Sequence, residues 1–204
     1  MTSKGAVLRE KRRARRVREI LEAALEVFNE KGYHKATMEE IAERALLTRV
    51  ALYKYFRDKL TILKALLEWK LDELTEAVET ALARSPDFPG KIRQIIRETL
   101  TFQENNRGFF RALITASVLP DLIQDRTLYR LIQRYIELVT RVIEEGIQRG
   151  EVHPAPADEL AELLASMVFK ATAKWNLDPD HASAPADHPE LIEQIFLRGV
   201  LRST

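Results

Sequence analysis

The side chains best placed to do chemistry in this 204-residue chain stand close together, at Thr48-Arg49-Val50-Ala51 and Tyr53-Lys54-Tyr55. Thr48 is placed to cap a short helical pattern running from Arg49 to Phe56, which puts Arg49, Val50 and Ala51 in its exposed first turn. These residue types offer hydrogen-bond donors and small apolar contacts, not a catalytic group. Just upstream, Thr37-Met38-Glu39-Glu40 has the Thr-x-x-Glu form of a capping box, opening a helix that continues through Ile41, Ala42 and Ala45. Further back, Ile20, Leu21, Ala24, Leu25, Val27 and Phe28 form an apolar stripe opposite Glu19, Glu22, Glu26 and Glu30, a 3.6-residue period. Gly32 stops that helix, because glycine enters left-handed backbone cheaply. Three helices between Arg18 and Lys59, the last two joined by a tight turn, make the helix-turn-helix that lays a helix in the major groove of duplex DNA.

Charge is distributed to match. Net charge is +1, yet residues 1–60 carry 15 basic against 9 acidic side chains and the remainder carries 17 against 22. A basic head on an acidic body fits a nucleic-acid domain joined to something different. The run Lys11-Arg12-Arg13-Ala14-Arg15-Arg16 leads the head. Arg12 and Arg13 are candidates for the adjacent minor groove or its phosphates. The backbone of this arm is expected to be disordered without DNA.

The rest of the chain narrows the classes of function. Hydrophobic content of 46% with 31% charged residues belongs to a globular protein, not a disordered one. There is no cysteine, which excludes disulfides, thiolate metal sites and thiol catalysis. No histidine pair has metal-ligand spacing; Asp178, Asp180, His181, Asp187 and His188 share one loop, which is expected to be polar surface. No glycine-rich phosphate loop or serine elbow is present, so no enzyme, cofactor or metal is expected. No apolar run suits a signal peptide or a membrane span, and a cytoplasmic location is expected.

Beyond Asp58, itself a cap, helical patterns cover about 59–84, 90–104, 107–119, 126–149, 157–176 and a stretch from Pro189. The chain is thus all-α with about nine helices, in a head (1–56) and a body (57–204). The helices near 126–149 and 157–176 are apolar around most of their girth, and the last carries Leu191, Ile192, Ile195, Phe196 and Val200. So much apolar surface predicts a symmetric dimer through the last two helices.

The head resembles the DNA-binding domain of the tetracycline-repressor (TetR) family. The residues that carry the likeness are Ile20-Leu21-x-Ala23-Ala24, Phe28, Gly32-Tyr33, Thr37, Ile41-Ala42, Leu52-Tyr53-x-Tyr55-Phe56 and Lys59. The resemblance implies a dimeric, ligand-responsive regulator of transcription, most often a repressor, on a pseudo-palindromic operator. It implies base contacts from Arg49, Val50 and Ala51, with Thr48 beside them. Phosphate contacts fall to Thr37, Tyr53 and Lys59, Lys54 is a further candidate, and Tyr55 is open to either role. Where the family has glycine in the turn, this chain has Leu46. Either the turn is strained by about 1–2 kcal/mol or its geometry differs. A helical adaptor without an operator is the alternative reading. The family also implies a small-molecule pocket among the body helices. Trp69, Phe102, Phe109, Phe110, Ile114, Tyr129, Tyr135 and Phe169 are its candidate lining. Arg93/Arg97 and Arg107/Arg111 either meet an anionic head group or pair with Glu98, Glu104 or Asp121. Aromatics plus arginine pairs, with the Gly146–Val152 segment, resemble the fatty acyl-CoA-responsive members, which implies an apolar acyl ligand such as a long-chain acyl-CoA.

Overall fold

In the computed structural model, which describes residues 4–117, 122, 126–177 and 188–202, the chain forms nine helices and no β-strand among those residues. They are α1 (Lys4–Lys35), α2 (Met38–Arg44), α3 (Arg49–Tyr53), α4 (Lys59–Leu82), α5 (Phe88–Asn105), α6 (Arg107–Thr115), α7 (Thr127–Gln148), α8 (Ala157–Leu177) and α9 (Glu190–Val200). Of the histidine-aspartate loop, only His188 falls within the described residues. The expected partner Asp121 also lies outside them.

Local signals account for most boundaries. Gly32 (φ 77°) breaks α1, and Tyr33–Lys35 form a short turn beyond it. Asp58 Oδ1 accepts from the Thr61 amide at 2.7 Å, and Asp87 Oδ1 accepts from Gly90, starting α4 and α5. The third helix is shorter than its pattern because its last turn tightens: Lys54 N donates to Ala51 O and Tyr55 N to Leu52 O. One expectation fails. The basic arm is helical, continuous with α1 from Lys4. Arg, Lys, Ala and Glu all favour helix, no breaker follows Gly5 before Gly32, and Arg15 and Arg16 both pair with Glu19.

Two hydrophobic cores share the interior. The first joins Ile20, Val27 and Phe28 of α1 to Ile41, Leu52, Phe56, the α4 residues Ile62, Leu63 and Leu66, and Phe109 and Phe110 of α6. The head's core therefore runs past residue 56 into the body. The second joins Leu74 and Val78 of α4 to α5, α7, α8 and α9. Helix α4 belongs to both, so the two cores cannot move independently. At the head–body junction Gly108 of α6 lies against the exposed Asn29 side chain of α1, which a Cβ there would displace. His34 Nε2 lies 2.9 Å from the Thr115 carbonyl. Arg18 pairs with Glu73 of α4 and stacks 4.5 Å over Trp69.

Candidate functional site

The recognition helix is aimed by three local devices. At the start of α2, Thr37 Oγ1 accepts from the Glu40 amide (3.2 Å) while Glu40 Oε2 accepts from the Thr37 amide (3.0 Å), completing the capping box. Hydrogen bonding from Lys31, then from the Thr37 backbone, holds the Glu40 carboxyl below its ordinary pKa. At the end of α2, Leu46 sits at φ 54°, the left-handed, strained alternative. Leu47 N donates to Ala42 O (2.8 Å) and Leu46 N to Glu43 O (3.0 Å). That bond pair is the Schellman motif glycine normally closes. The turn keeps its geometry, which removes the main support for the adaptor reading. Beyond it, Thr48 caps α3 through Ala51 N at 3.2 Å.

This geometry presents Thr48, Arg49, Val50, Tyr53 and Lys54 to solvent, with Val50 71% exposed. Ala51 and Tyr55 are half-buried, and Leu52 and Phe56 are core, as their inward spacing predicts. The Arg49 guanidinium is already held: Glu39 Oε1 is 2.8 Å from its Nε, and the Tyr53 ring centroid is 5.6 Å away. Hydrogen bonding to Tyr53, then the Glu39 charge, raises its pKa. Both side chains of this pair are exposed, so it is a weak surface ion pair.

Lys59 corrects the phosphate assignment. Its ammonium donates to the carbonyls of Tyr33 (2.8 Å), His34 (3.2 Å) and Ala36 (2.6 Å), and lies 4.9 Å from the Tyr33 ring. Three donors meet three acceptors, so Lys59 ties α4 to the loop after α1 and has no proton left for phosphate. Burial lowers its pKa. Arg12 and Arg13, by contrast, line a cleft with Arg9, Arg15, Arg16, Glu19 and Tyr55, with Arg13 5.7 Å over the Tyr55 ring. This cleft faces outward and is strongly cationic.

In the body the candidate effector residues divide. Trp69, Phe102 and Ile114 are half-buried; Phe109 and Phe110 are buried, with ring centroids 5.3 Å apart. Tyr135 is buried with its hydroxyl 2.9 Å from Thr99 Oγ1, and burial pushes its pKa up to about 12. Tyr129 and Phe169 do not line the interior: they are 54% and 41% exposed, because each falls on the outward side of its helix. Arg93 and Arg97 are not free for a head group. Both converge on buried Glu193 of α9, with Arg97 Nε 3.2 Å from its Oε1, replacing the expected partners on their own helices. Arg111 stays exposed near the Asn29 carbonyl at 3.5 Å. Arg107 turns inward, donating to the Trp175 carbonyl at 2.6 Å.

Several functional candidates had no local signature. Glu39, Glu193, Gln103 and Thr172 matter through partners far away in sequence or across a turn, and Asn176 through its burial. A weak trace existed for the last three, as polar residues interrupting apolar helical stripes.

A helix-turn-helix with an exposed reading face, fused to an all-helical body, is the architecture of a DNA-binding transcription regulator. Residues 20–66 match the family model described as bacterial regulatory proteins, tetR family. Over those residues the chain carries the DNA-binding domain of the TetR family of transcriptional regulators. It is 35% identical over 95 residues to the HTH-type transcriptional activator FasR of Mycolicibacterium smegmatis, a match spanning 47% of this chain and 43% of FasR, under half of that relative's length. It is 25% identical over 160 residues to the fatty acid metabolism regulator protein of Bacillus subtilis, covering 77% of this chain and 81% of that one. The transcriptional regulator FadR from Bacillus subtilis, solved in complex with stearoyl-CoA, shares the fold with a TM-score of 0.78 at 19% identity, over 89% of this chain and 97% of that one. Among the described residues, no helix is long and apolar enough to cross a membrane.

Proposed function

We propose that the chain is a repressor that grips a pseudo-palindromic operator as a homodimer and lets go when a long-chain acyl-CoA enters its body. The observation that carries the DNA half is the outward-facing first turn of α3, capped by Thr48 and set by an intact Schellman turn. Arg49, Val50 and Ala51 read base edges. Thr37, Thr48, Tyr53, Lys54 and Tyr55 hold phosphates and fix register, and the arginine cleft containing Arg12 and Arg13 follows the flanking backbone. Dimerisation through α8 and α9 is supported by large apolar side chains left in solvent there: Leu163, Phe169, Leu191 and Ile195, each 41–67% exposed. Two recognition helices on successive major grooves stand about 34–36 Å apart.

The acyl-CoA reading is supported by the aromatic cluster of Phe102, Phe109 and Phe110 and by the relatives' names. Release follows from α4, whose side chains enter both cores. A ligand among α4–α7 that shifts α4 changes the separation of the two heads. A hundredfold loss of operator affinity needs only about 2.7 kcal/mol of coupling, and DNA must weaken ligand binding by the same factor. Selection from random duplexes tests the reading. It predicts one enriched palindrome, released by stearoyl-CoA. No enrichment refutes the operator, and an enriched site unaffected by stearoyl-CoA refutes the ligand.

A further inference from the structure

One face of the α5–α6 junction is polar where the body is otherwise apolar. Thr99, Gln103 and Arg107 recur every four residues, and each meets a polar partner inside the fold. Thr99 meets the Tyr135 hydroxyl, Gln103 Oε1 accepts from Thr172 Oγ1, and Arg107 donates to the Trp175 carbonyl with its guanidinium 4.1 Å from that ring. Thr172 and Asn176 stand one turn apart on α8 and so share a face. Asn176 breaks the pattern of satisfied partners. It is 2% exposed, yet neither Nδ2 nor Oδ1 has a hydrogen-bond partner among the described residues. Buried orphans of this kind are rare in folded chains, because an apolar residue of similar size would be more stable there. The exception makes sense if the partner arrives from outside.

The surroundings narrow what arrives. Phe109 and Phe110 follow Arg107 closely on α6, and Phe102 precedes it on α5, with 6.4 Å between the Phe102 and Phe110 ring centroids. Apolar and polar side chains thus alternate along this junction, the mix an amphipathic molecule needs. A carboxylate or phosphate has only acceptors; it would use Nδ2 and leave Oδ1 orphaned. Amide groups supply both an N–H and a carbonyl. The arm that carries an acyl chain on CoA, pantetheine, contains two secondary amides. We propose that Asn176 recognises the amide-bearing pantetheine arm of an acyl thioester, making the chain selective for acyl-CoA over the free fatty acid. This rests on the acyl-CoA reading above and assigns its specificity to one residue.

Calorimetric titration of the full-length protein with stearoyl-CoA and with stearate tests it, in the wild type and in Asn176→Leu. The substitution removes both orphaned atoms. Stearoyl-CoA binding weakens about tenfold or more, stearate binding is no weaker, and the unliganded Tm is equal to or above the wild type's. Unchanged stearoyl-CoA affinity overturns the proposal, as does an equal loss for both ligands with a lowered Tm. Should leucine overfill the space, Asn176→Ala makes the same comparison. A wild type that binds neither ligand refutes the acyl-CoA reading itself, whereas a wild type and variant that bind stearoyl-CoA alike refute only the role of Asn176.

Discussion

Arg49 and Lys59 look alike in sequence, as cations in a recognition segment, and the structure separates them. Arg49 sits on an exposed turn beside Glu39, which suits the base-reading role proposed for it. Replacing it with alanine is expected to relax preference at one base pair per half-site, costing about 1–3 kcal/mol at that position, as read by binding to single-base operator variants. Lys59 holds three backbone carbonyls, so Lys59→Met is expected to lower stability by roughly 1–3 kcal/mol in denaturant melts. Leu46 offers a third test. Its left-handed backbone costs about 1–2 kcal/mol, partly offset by the about 0.5–1 kcal/mol that glycine loses in chain entropy. Being 90% exposed, it forfeits no packing when removed. The net gain is about 0–1.5 kcal/mol, so Leu46→Gly should not lower Tm and should raise it by up to about 6 °C, with operator preference unchanged.

Among the elements, what was legible in the sequence was what is local. Thr37, Thr48, Asp58 and Gly32 act on amides or dihedrals within a few residues, and the caps and stops fall where spacing puts them. Partners such as Glu193 for Arg97, the carbonyls for Lys59 and Trp175 for Arg107 depend on how helices cross, which no local pattern encodes. Tyr129 and Phe169 were misplaced for a related reason: aromatic type does not say which side of a largely apolar helix faces out. The arm is helical because its helix propensity and its pairs with Glu19 outweigh the repulsion of its charges. The α1–α6 crossing, invisible in sequence, makes its own prediction. Gly108→Ala requires only that the exposed Asn29 side chain swing aside, which alanine's better helix propensity offsets, so denaturant melts should show a stability change below about 1 kcal/mol. The caps predict a pH response. Glu40 is lowered by its bonds to Lys31 and Thr37; for Asp58, burial works upward but the Thr61 bonds and the Arg57 charge prevail. Lowered carboxyl values mean stability that is complete above about pH 4.5 and lost as pH falls through them. Helicity followed during acid titration should show head loosening in that window, and Glu40→Gln with Asp58→Asn should flatten it.

For the whole molecule, the proposed function requires two heads held at a fixed spacing by α8 and α9, with α4, which enters both cores, linking head to body. Exposed Leu191 and Ile195 lie on one turn of α9. Introducing Ile195→Arg should yield monomers by sedimentation and abolish preference for the palindrome while leaving helicity intact, since a buried unpaired charge is not tolerated across such an interface. The most direct test of the account is the mass of the purified chain on its selected duplex, measured by analytical ultracentrifugation with and without stearoyl-CoA. Two chains per duplex, dissociating as the acyl-CoA is added, is the predicted result. A single chain per duplex, or a complex indifferent to the acyl-CoA, would contradict it.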